Sequence, residues 1–150
     1  MAGQLTNQAV VERYTAASAR GDLAAMEALR HADWAVVWPQ SGERVRGDEH
    51  FAAIVANYPG GRPSVEIERI VGSEDRWLVT PSNTVLRVAG SGDFWSSEWS
   101  MVYPDGQAYH VVDLLELRDG RVHRETVYWA APFTAPAWRQ AYVESPRPAD

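Results

Sequence analysis

The hydrophobic rhythm of this chain changes at Pro63, from a helical period to an alternating one, and that switch constrains the fold more than any motif. Before it, residues 7–19 place Val10, Val11, Tyr14 and Ala17 at helical spacing, with Gly21 as the stop. Asp22 then caps a short second helix carrying Leu23, Met26 and Leu29. Phe51, Ile54, Val55 and Tyr58, at i, i+3, i+4 and i+7, give a third, ended by Pro59-Gly60-Gly61. Between the second and third helices, Trp34-Ala35-Val36-Val37-Trp38 reads as a strand broken by Pro39. After Pro63 the candidate strands are 64–71, 77–88 with an interruption near Pro81-Ser82, 94–103, 107–117 and 122–129, most of them separated by Gly or Asp-Gly. Helices first and a long meander of strands second is an α+β pattern, not alternating βαβ units. Pro136 opens a last short helix over 137–143, and 144–150 is expected to be a flexible tail of one domain spanning 1–150.

Within the meander, the stretch YHVVDLLELRDGRVHRETVYW (109–129) reads as two apolar arms joined by Arg118-Asp119-Gly120, each with an acid at its centre. Alternation puts Tyr109, Val111, Asp113, Leu115 and Leu117 on one face and His110, Val112, Leu114 and Glu116 on the other. A three-residue loop pairs Leu117 with Arg121 and therefore Asp113 with Glu125; a two-residue Asp119-Gly120 loop pairs Asp113 with Thr126. The first register makes a face of Asp113, Glu125, Val127 and Trp129, while the second mixes Asp113 with Arg124 and Tyr128. If the first face is enclosed, the two carboxylates cannot both ionise cheaply, one pKa rises and a proton is shared, which is an acid/base arrangement. The alternative is that both acids sit at the sheet rim, solvated or paired with Arg124 or Arg44.

Composition narrows the field. A chain of 150 residues can bury a real core as one domain. A net charge of -6 offers no basic surplus for phosphates, which argues against nucleic-acid binding. No apolar run reaches the length of a membrane span, and MAGQLTNQ lacks the layout of a signal peptide. With no cysteine there is no disulfide or thiolate chemistry, which points to the cytoplasm. No metal-spaced cluster of His, phosphate loop or nucleophile elbow is visible. Seven tryptophans and six tyrosines are the unusual feature, because aromatics line pockets for organic ligands as well as filling cores.

The run AVVERYTAASARGDLAAMEAL followed by HADWAVVWP resembles the start of ketosteroid isomerases and of SnoaL-like polyketide cyclases, both of the nuclear transport factor 2-like superfamily. VVDLLELRDGRVHRETVYW is similar to that superfamily's closing hairpin, and the helix order agrees, so the likeness covers nearly the whole chain. It implies a curved antiparallel sheet wrapped around three N-terminal helices, a cone with one apolar pocket. Residue by residue, it implies that Tyr14 donates a hydrogen bond to a substrate oxyanion and that Asp113 is the acid kept protonated beside it. The residue before proline on the first strand, where the isomerases carry their base, is Trp38, and an indole cannot abstract a proton. The likeness also favours the three-residue turn, with Asp113, Glu125, Val127 and Trp129 lining the pocket.

The cyclases imply an Asp–His pair, which would join His110 to Asp113; alternation separates these two, so the pairing needs a bulge between them. Trp34, Val36 and Trp38 alternate onto one strand face, with Trp38 read as pocket and Trp34 as core or ligand contact. Trp95, Trp99, Met101 and Tyr103 form a stripe that reads as core or dimer surface, with Tyr103 and Phe51 added as candidate ligand contacts. His31, His50 and His123 read as surface. The function implied is acid/base chemistry on a hydrophobic polyketide-like or polycyclic carbonyl compound, without cofactor or metal: Tyr14 and Asp113 stabilise an enolate oxygen and Glu125 moves the proton. The alternatives are a non-catalytic small-molecule binder and a protein-interaction module. A homodimer paired through the sheet is also implied, and the segment PFTAPAWRQAYVE, with Phe133, Trp138 and Tyr142, is expected to lie across the cone or onto a second subunit.

Overall fold

The protein is described by a computed structural model covering the backbone of residues 4–79 and 85–144 and the side chains of 4–72 and 92–144. Helix α1 (Asn7–Arg20) starts where Oγ1 of Thr6 accepts the N–H of Ala9 at 3.2 Å. It stops at Gly21, whose φ of 64° is the left-handed conformation that lets its N–H turn back to the last carbonyls. Asp22 caps α2 (Leu23–Leu29), accepting the N–H of Ala25 at 3.1 Å. Then come β1 (Arg30–Trp38), β2 (Glu43–Arg46), α3 (Asp48–Ala56), β3 (Ser64–Val79), β4 (Val85–Val102), β5 (Ala108–Arg118), β6 (Arg121–Ala130) and a 3-10 turn (Ala137–Tyr142).

The strands form one open sheet in the order β2-β1-β6-β5-β4-β3. Its pairs are antiparallel except β1 with β6, which run parallel. The parallel pair arises because the first and last long strands of the chain meet in the middle of the sheet. Bulges in the β1–β6, β3–β4 and β5–β6 ladders bend the strands, and a bent sheet can wrap around helices. The core is the face of α1 carrying Val10, Val11, Tyr14 and Ala17, packed with Met26, against Trp34, Val36, Val45, Leu115, Leu117 and Val122 of the sheet. Each large apolar side chain buried there contributes roughly 1.5–3 kcal/mol.

Other boundaries differ from the pattern in the sequence for identifiable reasons. The strand β2 has one inward apolar residue, Val45, between charged neighbours, which suits a sheet edge and hides it from a search for alternation. The strand expected over 64–71 does not stop at Gly72 but runs on to Val79. Gly72 is an accommodation rather than a turn: a Cβ there would lie 2.3 Å from the ring of Trp95, its partner on β4. The interruption expected near Pro81-Ser82 lies outside the described residues. Helix α3 ends at Ala56, leaving Tyr58 beyond it. The last helix is a 3-10 turn, and its neighbours do not lie across the sheet: Phe133, Trp138 and Tyr142 are 79%, 76% and 83% exposed.

Candidate active site

The closing hairpin resolves into neither expected register. Arg118 pairs with Arg121 around Asp119 and Gly120, both with positive φ (52° and 69°), the left-handed pair of a two-residue type I′ turn. Leu117 pairs with Val122, but Glu116 pairs with Arg124, so His123 is an extra residue bulged out of the ladder. Beyond the bulge Leu115 faces Glu125, Asp113 faces Val127 and Val111 faces Trp129. The three-residue turn is therefore corrected, yet the face it was expected to make is assembled by the bulge instead.

Cross-strand partners share a face, so the inner surface of the sheet can be read row by row. One row is Trp95, Leu115, Glu125 and Val36; the next is Ser97, Asp113 and Val127; a third is Trp99, Val111 and Trp129. Asp113 and Glu125 are thus diagonal neighbours on adjacent strands. They are 1% and 5% exposed, so neither is a solvated rim residue, and Arg44 and Arg124 are both exposed and away from them.

The cation that does reach the acids is Arg30, 5% exposed at the start of β1. Its Nε donates to the hydroxyl of Tyr14 at 2.8 Å, and its Nη1 donates to Oδ1 of Asp48 at 2.7 Å. Its guanidinium lies 3.4 Å from the ring centre of Trp34 and 4.6 Å from that of Phe51. Tyr14 passes the interaction on: its O–H donates to Oε2 of Glu125 at 3.1 Å, and the indole N–H of Trp34 donates to the same oxygen at 3.0 Å.

These contacts sort the protons. Burial pushes Asp113 well above the usual carboxylate range, and the charge of Glu125 beside it and a hydrogen bond between the two carboxyls add to the rise. Burial raises Glu125 as well, but Arg30, Tyr14 and Trp34 all pull the other way. Glu125 is therefore the carboxylate of the pair and Asp113 the acid, with one proton between them. Burial and Glu125 also raise Tyr14 well above the phenol range, which keeps its hydroxyl a donor. Burial alone would lower Arg30, but Tyr14, Glu125 and Asp48 outweigh it and the guanidinium stays charged. Oδ1 of Asp113 is buried and receives no hydrogen bond from any described donor.

Both acids line a cavity of about 270 Å³ whose walls include Trp38, Trp99, Trp129, Phe51, Tyr58, Tyr103 and Val127. An adjoining lobe of about 180 Å³ shares much of that lining and extends to Leu23 and Arg62. Trp38 meets Trp129 edge-on at 5.7 Å, and Tyr58 stacks on Tyr103 at 5.2 Å. Trp99 and Met101 thus form cavity wall, where core or dimer surface was expected, alongside Tyr103, a candidate ligand contact. Two candidates stand behind the cavity rather than in it: the side chains of Tyr14 and Trp34 are spent on Glu125, so Tyr14 is not positioned to meet a ligand oxyanion. His110 is corrected outright. The ladder from 110 to 113 has no bulge, so it sits exposed on the outer face opposite Ser100 and Ala130. Among the described residues no group of three or more His, Asp and Glu could hold a metal ion. Sequence reasoning missed Arg30, although extending the alternation of Trp34, Val36 and Trp38 backwards by four residues lands on it.

Comparison with known proteins agrees with this geometry. Residues 11–125 match the SnoaL-like domain. A search of curated proteins finds no match. An NTF-2 like protein of unknown function from Burkholderia xenovorans is 30% identical, with a TM-score of 0.71 over 94% of this chain and 95% of that one. A Kribbella flavida protein named after the ketosteroid isomerases is 22% identical, with a TM-score of 0.70 over 96% of this chain and 91% of the other. A Pseudomonas putida protein named after the polyketide cyclases is 21% identical, with a TM-score of 0.59 over 84% and 92%. The last two likenesses speak for the fold alone.

Proposed function

The chain belongs to the SnoaL-like family of the nuclear transport factor 2-like superfamily, and from that premise we propose that it is an enzyme acting on a hydrophobic, carbonyl-bearing small molecule, polycyclic or polyketide-like, through an enolate-like intermediate. The observation that carries this reading is a pair of buried carboxyls, hydrogen-bonded to each other, on the wall of an aromatic cavity, where they can hold one proton between them. Such a pair works as a unit. The oxygen of Asp113 not engaged with Glu125 takes a proton from the carbon beside the carbonyl as the shared proton slides to Glu125. The C–H electrons move into the new C–C double bond and the carbonyl electrons onto oxygen; the reverse shift returns a proton. Arg30, Tyr14 and Trp34 do not touch the ligand in this scheme; they hold Glu125 in the state and orientation that let the pair work. No step calls on a cofactor.

The test is hydrogen exchange beside a ketone. In heavy water, the wild-type protein should speed exchange at the α-carbon of a two-ring ketone such as 2-tetralone, read by proton NMR, and Asp113→Asn should not. Wild type that leaves the background rate unchanged would overturn the catalytic reading. It would favour the second one, a non-catalytic binder, which the aromatic lining and Trp38 at the site of the isomerase base support. Either reading accommodates a homodimer formed through the outer face of the sheet, where Val102, Val112 and Tyr128 are 44%, 38% and 44% exposed.

A further inference from the structure

Away from the acid pair, the adjoining lobe of about 180 Å³ is walled by apolar side chains such as Leu23, Val55, Pro63 and Val65. Among the described residues on its lining, Arg62 alone is charged. Ile54, Tyr58 and Arg62 are exposed as well as lining, so they mark the rim where the lobe meets solvent.

Two features hold the guanidinium at that rim. Arg62 precedes Pro63, which biases its backbone toward extended conformations. Gly21, at the end of α1, forms its seat: a Cβ there would lie 1.9 Å from Cζ of Arg62, so the charged head rests directly on the glycine backbone. Gly21 lines the lobe too, which places that head, and not merely the stem, beside the opening.

Nothing in the fold uses this cation. Among the described residues Arg62 has neither a hydrogen bond nor an ion pair. The carbonyls of Ala17 and Ser18 at the end of α1 already accept from Asp22 and Gly21, so the guanidinium is not their cap. The carboxylate of Asp22, next to the seat, is turned instead to the N–H of Ala25 at 3.1 Å. A planar fork of N–H donors suits a carboxylate, which it can grip with two bonds. One guanidinium also balances the single charge of a carboxylate better than the roughly two charges of a phosphate monoester.

We infer that the cavity takes an amphipathic carboxylic acid, its ring body between the aromatic walls and its carboxylate carried on a short chain to Arg62, which sets this specificity. The inference rests on the cavity being the ligand site, which the catalytic and binding readings share, and adds the ligand's second end.

The experiment compares ligands that differ only at that end. Binding of 4-(2-naphthyl)butanoic acid, its primary amide and 4-(2-naphthyl)butan-1-amine is measured by calorimetry on the full-length protein at neutral pH. The acid should bind about fivefold more tightly than the amide, the worth of one ion pair at a wet rim. Raising the salt from about 0.05 to 0.5 M should shrink that advantage. Arg62→Gln should bind acid and amide alike, whereas a purely structural role for Arg62 would weaken both by one factor and keep their ratio. Equal binding of acid and amide by the wild type, no binding of either, preference for the amine, or an acid preference that survives Arg62→Gln overturns the inference. The two proposals fail separately. Equal binding with α-exchange of 2-tetralone intact removes this one alone, and preference for the acid without exchange removes only the catalytic reading.

Discussion

Replacing Asp113 by Asn should change how stability depends on pH more than it changes stability itself. In the native protein Asp113 and Glu125 hold one proton between them because both are buried against each other. In the unfolded chain both acids ionise with ordinary values, so above about pH 5.5 neither holds a proton. The native state then binds one more proton than the unfolded state, and the sign follows: unfolding free energy falls as pH rises. The slope is about 1.4 kcal/mol per pH unit, from about pH 5.5 until the native pair releases its proton, or roughly 2.7 kcal/mol over two units. In Asp113→Asn the amide N–H stands where the proton was and Glu125 stays ionised, so this contribution to the slope vanishes. Urea unfolding followed by tryptophan fluorescence, at half-unit steps from about pH 5.5 to 7.5, gives the difference between the two proteins directly. The variant should gain on the wild type steadily with pH. Parallel curves would mean that Asp113 titrates as an ordinary carboxylate, and the reasoning would be wrong.

Four other perturbations follow from the same geometry. Tyr14→Phe takes the partner from Nε of Arg30 and a donor from Glu125, so unfolding in urea should show a loss of about 2–3 kcal/mol. Arg30→Met strips the counter-charge from Glu125 and should lose about 3–5 kcal/mol near neutral pH, with less lost in acid where Glu125 can take a proton; equal losses at both would contradict the assignment of charge. Gly72→Ala drives a methyl into the ring of Trp95 and should destabilise by about 1–3 kcal/mol in the same assay. Deleting His123 removes the bulged residue and makes Val122 and Arg124 consecutive, so Glu116–Arg124 and Asp113–Val127 still pair and Glu125 stays inward; α-exchange activity should survive, and its loss would disprove the register read here.

The sequence carried the inner face of the closing hairpin well, because period-two alternation with Val127 and Trp129 leaves Asp113 and Glu125 few other places to go. It could not carry the register. A bulge at His123 and a three-residue turn deliver nearly the same face, and choosing between them depends on the whole sheet rather than on the hairpin. The first two helices were legible through Gly21 and Asp22, residues whose caps act locally. The parallel pairing of β1 with β6 was not, since it joins segments about ninety residues apart with no local signature. Arg30 was hidden for a different reason. An arginine after a helix looks like a surface residue, and Tyr14 of α1, Trp34 of its own strand and Asp48 and Phe51 of α3 make its burial tolerable.

The most direct test is the carboxyl carbon resonance of Asp113, in protein carrying ¹³C-labelled aspartate, assigned by its disappearance in Asp113→Asn and followed from acid to alkaline pH. It should hold the chemical shift of a protonated acid through neutral pH. A resonance that moves to the carboxylate position near pH 4, like an exposed aspartate, would contradict the account at its centre.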